Sequence, residues 1–321
     1  MPKKKIEKTL SLIIPCFNEE ESLPLFYSET EKVLDKLNVD YELIFIDDGS
    51  TDNTLEEMKK LAKMDDRVVY LSFSRNFGKE AAMYAGLCNA EGDYIGFMDA
   101  DLQHPPVLLK EMLSALESGE YDCAAARRTD RKGDSKIRTF FARNFYKIIN
   151  KISDAQMVDG AGDFRVMKKE MAQAIISLSE YNRFSKGIFS WVGFKTYWIN
   201  YENVDRVAGK TSWSFWGLVK YAIDGIVNFS NAPLEISTLL GIAMTFFAFL
   251  YLLFIVIKYL IMGDPVQGWT TLICVILLIG GIQLFCIGIM GQYLGKTYME
   301  SKKRPHFIIS QTNKNKANKI G

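Results

Sequence analysis

The chain has 321 residues, 39 Lys and Arg against 38 Asp and Glu, a formal net charge of +1 and a 48% hydrophobic share. That near-neutral balance argues against a nucleic-acid binder working through bulk electrostatics, and the length admits one large domain or two ordinary ones. Five cysteines (Cys16, Cys88, Cys123, Cys274, Cys286) stand apart without a Cys-x-x-Cys pair, so neither a zinc site nor a disulfide framework is indicated and buried thiols are expected.

The basic start, Met1 to Lys8, precedes an apolar run too short for a signal peptide. That run, Leu10 to Ile14, reads as a strand ended by Pro15, and Glu20 to Leu37 follows with apolar residues at helical spacing. Tyr41 to Ile46 is a second strand, stopped by Asp47-Asp48-Gly49, and Thr51 to Lys63 is a helix that Ser50 or Thr51 can cap. Val68 to Ser72 is a third strand, Ala81 to Ala90 a helix, Tyr94 to Met98 a buried strand, and Pro106 to Glu117 a helix begun by proline. Strands alternating with helices imply an α/β, Rossmann-type, mostly parallel sheet with flanking helices over residues 1–210. Ligands bind such sheets beyond the carboxyl ends of the strands, where Asn18-Glu19, Asp47-Asp48, Arg75-Asn76 and Asp99-Ala100-Asp101 fall. Any one cluster could be turn chemistry; four on one edge point to a site.

After Ala126 the chain turns basic, with Arg127, Arg128, Arg131, Lys132, Lys136 and Arg138. Phe140 to Ile152 then mixes Arg143, Lys147 and Lys151 with Phe, Tyr and Ile, as helices lying on anionic membranes do. A juxtamembrane segment at 211–233 carries Trp213, Phe215, Trp216, Tyr221 and Phe229, rings that favour the membrane interface. Ile236 to Ile257 and Pro265 to Gly295 hold no charged residue. The first run matches the roughly 20 residues a bilayer core needs, so two spans are expected within 234–295, at about 236–260 and 268–292. The link Gly263 to Gly268 has no Lys or Arg, whereas Lys296, Lys302, Lys303 and Arg304 follow the second span, which predicts a hairpin with both ends cytoplasmic. The tail 296–321 is basic, and its polar end from Ser310 to Gly321 reads as disordered.

The two carboxylates of Asp99-Ala100-Asp101 end a buried strand and alternation points them the same way, able to share one hard cation against a diphosphate. Four ordered runs, Ile13-Ile14-Pro15-Cys16-Phe17-Asn18-Glu19-Glu20, Asp47-Asp48-Gly49-Ser50-Thr51-Asp52, Ser74-Arg75-Asn76-Phe77-Gly78-Lys79 and Met98 to Pro106, resemble the family-2 inverting glycosyltransferases. The resemblance covers roughly residues 10–305 and is to the polyisoprenyl-phosphate branch, the bactoprenol glucosyltransferases and dolichyl-phosphate mannose synthases.

That resemblance implies a GT-A-like catalytic domain followed by amphipathic interfacial helices and a two-helix hairpin. Pro15, Phe17 and Glu19 match the loop bordering the nucleotide, Asp47 and Asp48 the acidic pair at base and ribose, Lys79 a further donor contact, and Asp99, Asp101 and Gln103 the catalytic metal and diphosphate site, taking Mg²⁺ or Mn²⁺. The family usually has Tyr where Phe17 stands, so a hydroxyl contact is lost and stacking kept. Gly162-Asp163-Phe164-Arg165 resembles the segment beneath the acceptor, and Arg183-Phe184 to Phe194 the region closing on the donor. Arg127, Arg128, Arg165, Arg183, Arg206, Lys210 and Ser212 are the candidates to meet phosphate. His104, beside Pro105 and Pro106, reads as a packing residue rather than an acid or base.

The implied reaction moves one hexose from a nucleotide-sugar to a polyisoprenyl phosphate with inversion. A phosphate acceptor is already ionised near neutral pH and needs no strong base. UDP-glucose is the first candidate donor, ahead of UDP-N-acetylhexosamine, UDP-galactose and GDP-mannose; a non-catalytic membrane scaffold is the rival of another class. The expected partners are the donor, the lipid phosphate, the bilayer and further copies as a dimer or tetramer, for which Gly280, Gly281, Gly288 and Gly291 would permit close helix contact; nucleic acid is not among them.

Overall fold

A computed structural model describes residues 8–37, 39–128, 147, 149–153, 156–201, 223–262 and 268–321. Eight strands and eight helices have both of their ends among them. In chain order they run β1 (Thr9–Cys16), α1 (Leu23–Leu34), β2 (Asp40–Asp47), α2 (Thr54–Met64), β3 (Val68–Phe73), α3 (Lys79–Asn89), β4 (Tyr94–Phe97) and α4 (Leu108–Glu117). Then follow β5 (Cys123–Arg128), β6 (Ala161–Lys168), α5 (Lys169–Ser177), α6 (Ser185–Trp191), β7 (Thr196–Tyr201), α7 (Ala232–Met262), α8 (Trp269–Ser301) and β8 (Ile309–Thr312).

The strands form one sheet in the order β7-β5-β6-β4-β1-β2-β3-β8. β4, β1, β2 and β3 are parallel neighbours, β5 and β7 are parallel to each other, and β6 and β8 run antiparallel to theirs. The mostly parallel α/β sheet expected from the alternation is therefore present, with two reversals. Its strands are buried on both faces, so alternation splits the core in two. Leu12, Phe45 and Phe164 pack under α1, α2 and α4 on one side. Ile13, Ile44, Phe97 and Met167 pack under α3, α5 and α6 on the other.

The expected caps of the second helix are corrected. α2 begins after Asn53 with no side-chain cap, because Ser50 and Thr51 are engaged elsewhere: Asn18 N–H donates to Ser50 Oγ (3.0 Å) and Thr51 N–H to Asn18 Oδ1 (2.8 Å). These bonds tie the loop after β1 to the loop after β2.

α7 and α8, of 31 and 33 residues, are long and apolar enough to cross a membrane. Phe246, Phe247, Leu284 and Ile287 are each more than half exposed on them, a surface that water does not favour. α8 runs nine residues past the expected end of the second span, and this extension bonds to the juxtamembrane segment and, through Glu300, to the sheet domain. Lys296 Nζ reaches Asp224 (3.2 Å) and Asn228 Oδ1 (2.7 Å), and Glu300 Oε1 accepts from Tyr181 N–H (2.7 Å).

The expectation of a disordered end is also corrected. β8 pairs with β3 as an edge strand, Phe307 is fully buried and stacked on Phe73 at 5.6 Å, and Lys314 Nζ donates to Asn89 O (2.6 Å). The segment is polar because an edge strand exposes one side to water; two apolar residues, Phe307 and Ile309, suffice to anchor it. The amphipathic readings at Phe140 to Ile152 and Trp213 to Phe229 fall largely outside the described residues.

Candidate active site

All four polar clusters ride on loops at the carboxyl ends of the parallel strands β1, β2, β3 and β4. Asn18 (φ 56°) and Leu102 (φ 56°) both adopt the left-handed conformation there. Asn tolerates it, whereas Leu pays of order 1–3 kcal/mol, a cost met at functional turns. Leu102 lies directly behind Asp101, whose Oδ1 accepts from Gln103 N–H at 3.1 Å, so the turn fixes that carboxylate.

Asp99 faces a cation of the chain itself. Lys79 Nζ lies 2.7 Å from Asp99 Oδ1 and 2.7 Å from Asp163 Oδ2. Burial pushes the Asp163 carboxyl up, but the Lys79 and Lys186 ammonium groups outweigh it and hold that acid well below the usual carboxylate range. Burial works against the Lys79 charge too, and the two carboxylates more than restore it. Asp163 opens β6, next to β4, because Arg165 is in register with Phe97. The segment Gly162-Asp163 was legible as a motif, but its acid was not singled out; an isolated Asp after Gly carries no signal until the antiparallel pairing brings it beside Asp99.

Tyr201, at the end of β7, is the other residue not anticipated. It is in register with Arg128, and burial raises its hydroxyl to about 12, with Arg128 opposing and Asp99 and Asp101 adding to the rise. His104 is buried between the Phe164 and Tyr201 rings, 5.3 and 5.6 Å away, and its Nδ1 has no hydrogen-bond partner among the described residues.

The nucleotide-side candidates divide. Phe17 is 46% exposed on the rim, free to stack on a flat ring, while Pro15 sits within β1 paired to Ile46. Glu19 holds its loop through Thr54 Oγ1, which accepts from Glu19 N–H at 2.8 Å, and its carboxylate accepts from Ser22 Oγ. Asp47 and Asp48 are buried. Asp47 accepts from Ser50 N–H (2.9 Å) and Ser72 Oγ (2.7 Å), and Asp48 from Phe77 N–H (2.7 Å) and Gly78 N–H (2.9 Å). These bonds build the loops; any donor contact would be additional to them. Burial raises the Asp48 carboxyl to about 6 against those backbone donors. Gly49 shows how tight the packing is: at φ 69° an added Cβ would meet Arg75 C and Asn76 N at 2.6 Å each.

The phosphate candidates are scattered. Arg128 is at the site, and exposed Arg127 is tethered by Nε to Asp159 O (3.0 Å). Arg165 is buried with its guanidinium carbon 3.6 Å from the Phe189 ring centre, and Nη2 donates to Gly162 O (2.9 Å). With Lys186, Phe189, Phe194 and Trp198 it lines a cavity of about 350 Å³ beside β6 and β7. Arg183 is a correction. Its guanidinium is buried, donates to Leu178 O and Ile175 O at the end of α5, and stacks on Tyr84 at 4.3 Å. It secures a helix end rather than presenting donors to a ligand. Arg206, Lys210 and Ser212 lie outside the described residues.

A divalent cation is testable against these groups. Asp99, Asp101 and Gln103 offer only oxygen donors, which suits a hard cation, and Asp99 already holds an ammonium at 2.7 Å. Among the described residues no group of three or more His, Cys, Asp or Glu could hold a metal ion, so a cation at Asp99 and Asp101 would need further oxygens from water or phosphate. The residues fit.

The mostly parallel sheet, with its acidic carboxyl edge and the cationic residues beside it, is an α/β arrangement of the GT-A-like kind. The chain belongs to glycosyl transferase family 2, whose profile matches residues 11–176. It is 44% identical over 95% of its length, and 92% of the relative's, to CsbB of Bacillus subtilis (strain 168), a protein named as a glycosyltransferase. It is 41% identical to the prophage bactoprenol glucosyl transferase homolog of Escherichia coli (strain K12), over 95% of this chain and 99% of that one. The bactoprenol glucosyl transferase of Shigella phage SfV shares 41% identity over 94% and 97% of the two chains. The chain is thus a glycosyltransferase.

Proposed function

We propose that this enzyme transfers a single glucose from UDP-glucose to a polyisoprenyl phosphate such as undecaprenyl phosphate, with inversion at the anomeric carbon, at the cytoplasmic face of a cell membrane crossed by α7 and α8. The product would be a lipid-linked sugar for modification of cell-envelope glycans. One observation carries the reading: Asp99 and Asp101 follow β4, beside Asp163, Lys79 and Arg128, in a chain aligned nearly end to end with proteins named as bactoprenol glucosyl transferases. The two long apolar helices supply the membrane context such a lipid needs.

Asp99, Asp101 and Gln103 would hold Mg²⁺ or Mn²⁺, which when bound offsets the charge developing on the departing nucleoside diphosphate. Phe17 stacks on the base. Arg128 and, from beyond the described residues, Arg206 and Lys210 neutralise phosphate. The cavity with Arg165 and Lys186 against Phe189 and Trp198 pairs cations with an apolar wall, the combination an isoprenyl phosphate requires. The acceptor arrives ionised, so no residue has to remove a proton from it; alignment and leaving-group stabilisation supply the rate.

The test offers the full-length protein in detergent labelled UDP-glucose, UDP-galactose, UDP-N-acetylglucosamine and GDP-mannose in turn, with undecaprenyl phosphate and Mg²⁺ or Mn²⁺. Label from UDP-glucose should pass into the organic phase and stop doing so on chelation. Transfer from another donor would correct the sugar, and no transfer from any donor by folded protein would overturn the reaction.

A further inference from the structure

Lys79 is built into the site with unusual firmness for a lysine. It opens α3 directly behind Gly78, which adopts φ 96°. The Phe77 and Gly78 amides are both held by the buried Asp48 carboxylate, and the next residue, Glu80, accepts from Ser185 N–H at 3.1 Å. The backbone before Lys79 is therefore held by Asp48, Glu80 ties the start of α3 to Ser185, and the Lys79 ammonium lies between Asp99 and Asp163 at 2.7 Å from each.

Two consequences follow from charge alone. The ammonium takes one coordination direction of Asp99, at Oδ1, so a dication approaching that oxygen competes with it. A dication and Lys79 close together also repel, and two positive groups sharing three carboxylates are held far better once a diphosphate adds its negative charges. Asp163 is not among the metal candidates, so the ammonium has a second carboxylate on which to stay.

We propose that Lys79 is the resident counter-cation of this site: it keeps Asp99 engaged until the dication enters with the donor diphosphate, then holds Asp163 alone, and by this exchange makes metal binding depend on nucleotide binding. Lys79 is thus a positioning residue whose charge penalises capture of a metal without a donor. The inference rests on the reading of Asp99 and Asp101 as metal ligands.

The experiment measures Mn²⁺ affinity of the full chain in detergent by electron paramagnetic resonance, alone and with saturating UDP or GDP. In the wild type, one nucleotide should tighten Mn²⁺ binding at least about tenfold, near 1.4 kcal/mol. In Lys79→Met, Mn²⁺ alone should bind about tenfold tighter than in the wild type, and the nucleotide should then add less than about threefold. Lys79→Gln, which retains an amide donor for Asp163, should behave likewise and stands in if Lys79→Met does not fold. Lys79→Arg, keeping the charge, should preserve the nucleotide dependence. A residue that merely supported the fold would not move this coupling. Unchanged Mn²⁺ affinity in folded Lys79→Gln, with the wild type responding to nucleotide, overturns the role of Lys79 and leaves the metal site standing. No Mn²⁺ binding by the wild type with either nucleotide overturns both.

Discussion

Phe307 holds the C-terminal segment onto the sheet, and its removal should release that segment. The ring is fully buried, stacked on Phe73 at 5.6 Å with an interplanar angle of 10°, and 6.2 Å from Tyr84. Burying about 200 Å² of aromatic surface at about 25 cal/mol/Å² is worth about 5 kcal/mol, and Phe→Ala truncations in cores cost about 3–5 kcal/mol. β8 itself is four residues long and bonded on one side, and the other ties of the segment include Ile309 and polar bonds from Ser310, Asn313, Lys314 and Asn318, so Phe307 is its largest apolar anchor. Because the segment is terminal, Phe307→Ala should open it locally before the sheet unfolds. A loss of about 3 kcal/mol raises the open population by about two decades. Hydrogen exchange on the full chain in detergent reads this directly: amides of 309–312, protected in the wild type, should exchange about 100-fold faster in the variant, while β1 and β4 keep their protection. Wild-type amides at 309–312 exchanging at unprotected rates would refute the ordered tail, and unchanged exchange in Phe307→Ala would refute the anchor.

Asp101→Asn should lower sugar transfer by at least about 100-fold with circular dichroism unchanged, since a site carboxylate is lost without loss of volume; activity within a few-fold of wild type would remove Asp101 from the site. Gly49→Ala should destabilise by about 2 kcal/mol or more in chemical unfolding, because the new Cβ meets backbone at 2.6 Å and φ is 69°; it should also weaken donor binding by shifting the 75–79 segment, and a silent substitution would contradict that contact. Asp48 has its carboxyl raised to about 6 in the folded chain from 3.8, so its contribution to stability is complete below pH 3.8 and is lost as the pH rises through 6. Asp48→Asn should therefore remove a stability decline of at most about 1.4 kcal/mol per pH unit between pH 4 and 6, measured as the difference between wild-type and variant unfolding at matched pH.

Legibility followed the physics of each element. β1, β2, β3 and β4 declare themselves because largely buried strands are short runs dominated by Ile, Leu, Val and aromatic residues, and because Asp47-Asp48-Gly49 and Asp99 mark the ends of β2 and β4 with turn chemistry, whereas Pro15, expected to end β1, lies inside it and pairs with Ile46. Asp99 and Asp101 were visible for the same reason. β6 was not, since its run Ala161–Lys168 carries Asp163 and Arg165 where an apolar pattern would be sought; only long-range pairing with β4 gives those charges partners. β8 lies 238 residues from β3, as the Ser310 Oγ to Ser72 O bond shows, and no local pattern encodes a contact at that separation. Lys79 was legible as a site residue but not as the partner of Asp99 and Asp163, because that pairing depends on where Asp48 fixes the start of α3.

The chain leaves the sheet at β7 and rejoins it at β8, with both apolar helices inserted between these opposite edges. A free linker would let the sheet sample many orientations over α7 and α8, and each would be unproductive for a reaction joining a water-soluble donor to a lipid. Here the last turns of α8 are bonded to the juxtamembrane segment through Lys296 and to the sheet domain through Glu300, and Tyr293 hydroxyl donates to Ser230 O at 2.6 Å just before α7 begins. Phe307 is buried six residues after α8 ends and β8 begins eight residues after it. The apolar pair is thus bonded to the rest of the chain close to both of its junctions. Holding reactants in a fixed frame replaces a search with an intramolecular encounter, so under the proposed reaction Phe307→Ala should lower turnover while leaving donor affinity unchanged, and unaltered turnover would refute a role for the tail.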